Sequence, residues 1–143
     1  MSGTPRPSSP PPKADVRCLL DTNAFLWLAS EPRRLSPLVR QLVALGDTEL
    51  VLSAVVPWEL AIKEQLGKLT VDEPLAALIA REVESLRLEE LPVTRVHALA
   101  SGKLPNHHRD PFDRLLLAQA IVEDMSIISA DRALLAYPAT VVW

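Results

Sequence analysis

The chain has 143 residues, a length that suits one domain and leaves little room for two. Hydrophobic residues make up 48% of it and aromatic ones only 4%, so aliphatic side chains must supply most of the core. A net charge of -3 and a pI of about 5.6 argue against a protein that grips nucleic acid by bulk positive charge, but not against nucleic-acid chemistry, because bound divalent cations reverse the local sign. The single cysteine, Cys18, excludes an intrachain disulfide, lies in an apolar run and reads as a buried thiol in a reducing, cytoplasmic setting. No apolar run reaches membrane-spanning length, and no apolar leader core stands at the N-terminus, so neither membrane insertion nor secretion is expected.

In chain order, "MSGTPRPSSPPPKAD" is rich in Pro and Ser, and residues 1–14 read as a disordered tail, with residues 15–143 as the folded domain. "VRCLL" is a short apolar strand that stops at Asp21. "NAFLWLA" is helical and ends at "SEP". "SPLVRQLVALG" carries a complete set of helix signals: Ser36 as N-cap, Pro37 at the first helical position and Gly46 past the end. "ELVLS" is a second strand, and "VPWELAIKEQLG" a helix with Pro57 near its start and Gly67 at its close. "DEPLAALIAREVESLR" is a helix expected to be capped by Asp72 or Glu73, with Pro74 in its first turn. "LEELPV" is a short strand, "TRVHALASG" a helix opening at Thr94, and "KLPNHHR" a loop. "DPFDRLLLAQAIVED" is a helix opening at Asp110 and Pro111; "SIIS", "DRALLAY" and "ATVVW" close the chain as strand, short helix and strand. Apolar strands alternating with helices predict an α/β domain of three layers, α/β/α, around a mostly parallel sheet.

Ligands of such sheets gather beyond the carboxyl ends of the strands. Asp21 ends the first strand, Asp131 follows "SIIS", Glu59 lies in the first turns of the helix after "ELVLS", and Asp113 lies in the first turn of the helix before "SIIS". All four can face one end of the sheet. Two carboxylates about 5 Å apart repel by roughly 3 kcal/mol at an effective dielectric of about 20. A hard divalent cation with oxygen ligands relieves that repulsion, and Mg²⁺ or Mn²⁺ suits the set better than zinc, since no Cys/His ligand set accompanies it. Such an ion promotes in-line phosphodiester hydrolysis.

Each residue also has a structural explanation. Asp110 reads equally as an N-cap with Asp113 completing a capping-box-like pair, Asp131 as the cap of "RALLAY", and Glu59 as a surface partner of Lys63. Arg109 and Arg114 suit substrate phosphate or salt bridges to nearby acids. His107 and His108 suit phosphate contact, carboxylate orientation or simple loop exposure, and His97 suits packing. Trp27 and Trp58 read as core or interface anchors.

"LLDTNAFLW", "SAVVPWELAIKEQLGKL", "LPVTRVHALASGKLPNHHRDPFDRLLLAQA" and "IISADRALLAY" together resemble a PIN domain, most of all the VapC-type toxins of toxin–antitoxin pairs. The resemblance runs from about Val16 to Trp143. It implies a Mg²⁺- or Mn²⁺-dependent endoribonuclease with Asp21, Glu59 and Asp113 at the core acidic positions and Asp131 at a more variable fourth. It also implies support of Asp21 by Thr22 or Asn23, an extra acid at Asp110, a homodimer, and a VapB-like antitoxin that wraps the toxin and blocks its site. The helices "NAFLWLA" and "VPWELAI" suit either that antitoxin or the core. The Pro/Ser-rich tail departs from the family pattern. Two rivals stand beside this reading: a non-catalytic scaffold of the same fold that binds RNA or protein, and a haloacid-dehalogenase-type phosphatase, which needs a second Asp where this chain has Asn23.

Overall fold

The computed structural model describes residues 16–143, so the tail reading of residues 1–14 lies outside the described residues. The first strand, β1 (Arg17–Leu20), is a four-residue apolar run, and Asp21 ends it by turning the chain into helix α1 (Thr22–Ser30). The Asp21 carboxylate accepts the Ala24 N–H at 2.7 Å, an N-cap that satisfies one of the donors a helix start leaves unpaired. A 3-10 turn over Pro32–Arg34 leads to α2 (Pro37–Leu45), which carries the expected signals: the Ser36 hydroxyl accepts Val39 N–H at 3.1 Å, and Gly46 takes φ 70° past the last turn. Strand β2 (Glu49–Ser53), helix α3 (Val55–Gln65), helix α4 (Leu75–Ser85) and strand β3 (Glu89–Leu91) follow. Here one expectation is corrected. Neither Asp72 nor Glu73 caps α4; Pro74 itself is the N-cap residue, and Glu73 pairs with Arg81 at 2.6 Å. Helices α5 (Arg95–Lys103) and α6 (Pro111–Val122), strand β4 (Ser126–Ile128), a 3-10 turn (Arg132–Ala136) and strand β5 (Val141–Val142) complete the domain.

The five strands lie in the order β3-β2-β1-β4-β5, and every pair is parallel. Parallel strands need crossovers, and right-handed crossovers in opposite directions across the sheet lay helices on both of its faces. The strands are accordingly buried on both sides: Cys18, Leu19, Leu20, Val51, Ile127 and Ile128 are at most 1% exposed. Each fully buried leucine or isoleucine adds roughly 1.5–3 kcal/mol. The chain leaves β1 toward β2 on one side, and the crossover from β3 returns to β4 on the other. The carboxyl ends of β1 and β4 therefore form the switch point of the sheet, where the flanking loops diverge and open a crevice.

A buried polar chain fastens α5 and α6 to the sheet. Ser53 donates its hydroxyl to the Gln119 side-chain carbonyl, and the Gln119 amide donates to Pro92 O at 3.3 Å. His97 is not a plain packing residue: its Nδ1 accepts Thr94 N–H at 3.0 Å, closing a capping box at the start of α5, and its Nε2 meets Glu123 at 2.9 Å. Ser53, Gln119 and His97 are all at most 1% exposed, so losing one partner strands another in a place water does not reach. Gln119→Leu is expected to lower stability by about 2 kcal/mol in denaturant melts. In the double variant with Ser53→Ala the two losses should fall short of their sum, since they share one bond; full additivity would contradict the network.

Candidate active site

All four acids singled out from sequence arrive at the switch point. Asp21 stands at the carboxyl end of β1 and Asp131 two residues past the adjacent Ser129 at the end of β4. Glu59 enters from the first half of α3 and Asp113 from the first turn of α6. Together with Thr22, Asn23, Lys63, Asp110 and Ala130 they line a cleft of about 280 Å³. Helix starts bring partial positive charge there, which suits anions.

The way each acid is held differs from expectation in places. Thr22 does not support Asp21; its hydroxyl donates to Glu59 Oε1 at 2.6 Å. Asp21 is held by Ala24 N–H and by the Ser129 hydroxyl. Asn23 is exposed at the cleft wall. Glu59 is no surface residue: at 4% exposed it lies inside the fold, and its second oxygen meets Lys63 Nζ at 2.5 Å. Lys63, weighed in the sequence only as a surface partner, is thus a cation within the cleft. Its spacing from Glu59, one helical turn, is the signal that pointed to it.

Asp110 is the N-cap of α6, accepting Phe112 N–H at 2.8 Å and Asp113 N–H at 3.2 Å. The reciprocal half of a capping box is not made by Asp113, because the Asp110 N–H goes to His108 Nδ1 at 3.1 Å. Asp113 is left to face the cleft. Asp131 caps the turn that follows it, through Ala133 N–H at 3.0 Å, and also lines the cleft.

His108 is not an exposed loop histidine. Its side chain is 14% exposed, and Nε2 lies 2.7 Å from Asp131 Oδ2 and 3.3 Å from Asp113 Oδ2. Arg114 forms no salt bridge to the neighbouring acids among the described residues. Its guanidinium donates to the main-chain carbonyls of Ser101 and Leu104 at 3.0 Å, Pro105 at 2.9 Å and His108 at 3.4 Å, locking the α5–α6 loop. Tyr137 adds to that lock, donating to Pro105 O at 2.9 Å. Arg109 is exposed and lies outside the cleft lining. Trp58 is 54% exposed and packs edge-on against Phe112, with ring centroids 4.8 Å apart, so it belongs to the surface and not to the core. Of the other apolar side chains of "NAFLWLA" and "VPWELAI", Ala24, Phe25, Val56 and Leu60 are buried, Leu26, Trp27, Leu28 and Ala29 pack half-buried against the core, and Ala61 is exposed.

The electrostatics follow from crowding negative charge in a partly dry place. Burial, then the neighbouring charge of Asp110, and behind it Asp21 and Glu59, push the Asp113 carboxyl up to about 7, against an opposing pull from His108. Burial likewise raises Asp21, with Glu59 and Asp131 adding to the rise and the Ser129 and Ala24 bonds resisting it. Burial also disfavours charge on Asp131, but bonds from His108 and Ala133 outweigh it, and its carboxyl is lowered. The donors are carboxylate oxygens on rigid elements, with Asp21 and Asp113 raised by burial first and by neighbouring charge second. That set fits a hard divalent cation such as Mg²⁺ or Mn²⁺ and offers no thiolate for a softer metal.

Residues 18–139 match the family model for the PIN domain. The chain is 30% identical over 117 residues to Ribonuclease VapC22 of Mycobacterium tuberculosis, covering 81% of this chain and 88% of that protein. Among solved structures, VapBC2 from Rickettsia felis bound to a DNA fragment from its promoter superposes with a TM-score of 0.69 at 17% identity, over 90% of this chain and 99% of the matched chain. VapBC-5 from Mycobacterium tuberculosis superposes with a TM-score of 0.54 at 24% identity, over 89% and 96%. These two likenesses carry the fold; the family model and the sequence relative carry the family. With a parallel α/β/α core and the acids gathered where that core opens, this chain belongs to the PIN-domain family.

Proposed function

We propose that this protein is a metal-dependent endoribonuclease that hydrolyses RNA phosphodiesters and serves as the toxin of a toxin–antitoxin pair. The observation that carries the reading is the convergence of Asp21, Glu59, Asp113 and Asp131, from four separate segments, on one cleft. The 30% identity to a VapC ribonuclease supports the RNA substrate. A non-catalytic scaffold would have no use for acids from four segments held together in one partly buried cleft, where burial first and neighbouring charge second raise Asp21 and Asp113.

Asp21, Asp113, Glu59 and Asp131 would hold Mg²⁺ or Mn²⁺. When bound, such a cation neutralises charge developing on the scissile phosphate and acidifies water. The chain's own groups do the positioning. Thr22 fixes one oxygen of Glu59, and Ser129 and Ala24 N–H fix Asp21. Lys63, 40% exposed at the cleft, offsets the charge of Glu59 and presents a cation toward an incoming phosphate.

A homodimer and a VapB-like antitoxin that covers the cleft complete the proposal, in the cytoplasm. Val96 and Leu99 on α5, 56% and 63% exposed, give a protein partner apolar surface. A groove between α3 and α4, lined by Pro57, Ala61, Leu75, Ala76, Ile79 and Val83, gives more.

Asp21→Asn is expected to reduce RNA cleavage about a hundredfold or more, while the metal-free variant melts at the same temperature or higher. Asparagine keeps the oxygen that caps α1 and removes a charge that burial disfavours. Cleavage that persists in the variant, or proceeds equally in EDTA, would defeat the metal mechanism.

Stability should follow the raised carboxyls. A carboxyl whose folded pKa is raised contributes stability that is present below its unfolded value and lost as pH climbs through the folded one. For Asp113 that window runs from 3.8 to about 7, and Asp21 acts in the same direction. Metal-free protein should therefore melt lower at about pH 8 than at about pH 5.5, and saturating Mg²⁺ should raise the melting temperature more at the higher pH. A Mg²⁺ effect equal at both values would mean that these acids are not its ligands.

A further inference from the structure

We infer that His108 is a positioning residue of the acidic site, acting as a hydrogen-bond donor that spaces Asp131 and Asp113, and not as a metal ligand itself. The inference rests on the reading of the cleft as a divalent-cation site. By distance alone the opposite assignment is available, because one ligand atom each from His108, Asp113 and Asp131 lie within 4.8 Å of one another. The hydrogen bonds decide between them.

A neutral imidazole has one donor nitrogen and one acceptor nitrogen. The Asp110 main-chain N–H points at His108 Nδ1 at 3.1 Å, so Nδ1 is the acceptor and keeps its lone pair. The ring proton then sits on Nε2. That nitrogen faces Asp131 Oδ2 at 2.7 Å and Asp113 Oδ2 at 3.3 Å, oxygens that accept when ionised. A metal needs a lone pair at Nε2, which requires the other tautomer and would turn an N–H at Nδ1 against the N–H of Asp110.

The ring cannot easily turn away from this duty. Arg114 holds the His108 carbonyl, those of Leu104 and Pro105 in the same loop, and that of Ser101 in α5, and Asp110 is held as the cap of α6. His108 performs two linked tasks from this place. By taking the Asp110 N–H at Nδ1 it occupies the donor that the third residue of a capping box takes, which leaves Asp113 to the cleft. By donating its Nε2 proton to Asp131 Oδ2 while lying 3.3 Å from Asp113 Oδ2, it ties the loop after β4 to the first turn of α6. It thus holds the two acids at a common distance.

The test uses the full chain and Mn²⁺ as the probe, with affinity read by titration calorimetry and ligand identity by pulsed electron paramagnetic resonance. His108→Ala is expected to weaken Mn²⁺ binding about tenfold or more, the range that outer partners of metal ligands command. His108→Gln, which places an amide donor near the position of Nε2, should stay within about threefold of the natural protein. The Mn²⁺ spectrum of the natural protein should show no directly coordinated nitrogen. A coordinated-nitrogen signal that vanishes in His108→Ala would make His108 a ligand and overturn the inference, as would binding lost in Asp21→Asn but unchanged in His108→Ala. Mn²⁺ binding that is absent from the natural protein, or unaltered in Asp21→Asn, would overturn the metal reading and this inference together. Should His108→Ala fail to fold, the natural protein's spectrum and the Gln variant still decide the matter.

Discussion

Mutual repulsion among carboxylates governs this structure. Left to themselves, Asp21, Glu59, Asp113 and Asp131 would separate, and what keeps them together is the stiffness of the elements that carry them. Asp21 is bound to the end of a fully buried strand and to the first turn of α1. Asp113 is committed by the Pro111 start of α6 and by the Asp110 cap. The apolar sheet supplies the energy for this arrangement; burial first, and neighbouring charge second, raise the carboxyls of Asp21 and Asp113. A cation converts that repulsion into attraction, which is why the same geometry is unfavourable alone and useful when charged ions are present.

The compensation inside the cleft is graded. Lys63 meets Glu59 with a full charge, Thr22 and Ser129 meet Glu59 and Asp21 with hydroxyl dipoles, and His108 meets Asp131 with an N–H beside Asp113. Neutral donors orient a carboxylate without cancelling it, so the negative potential a cation needs survives. Loop 104–110 matters for the same reason. Arg114 fixes that loop by the carbonyls of Leu104, Pro105 and His108.

Much of this was legible in the residues. Apolar strands alternating with helices gave the parallel sheet, and an acid directly after "VRCLL" or shortly after "SIIS" had to fall at the carboxyl end. The caps at Ser36, Thr94 and Asp110 followed from local chemistry, because a cap is made within three residues. What escaped was long-range. The Thr22 hydroxyl reaches Glu59 across 37 positions, and His108 reaches Asp131 across 23, contacts that no local pattern encodes. Pro74 as the cap of α4 escaped for another reason: its fixed backbone starts a helix without any side-chain acceptor, so the neighbouring acids Asp72 and Glu73 drew the attention. The tautomer of His108 depends on which main-chain N–H lies beside it, and sequence is silent on that.

Anomalous diffraction from crystals soaked in Mn²⁺ tests the central claim most directly. The account predicts a peak in the cleft between the ends of β1 and β4, bounded by carboxylate oxygens of Asp21 and Asp113 with Glu59 or Asp131 beside them. An empty cleft at saturating Mn²⁺, or a peak held elsewhere while these acids keep only their protein partners, would contradict it.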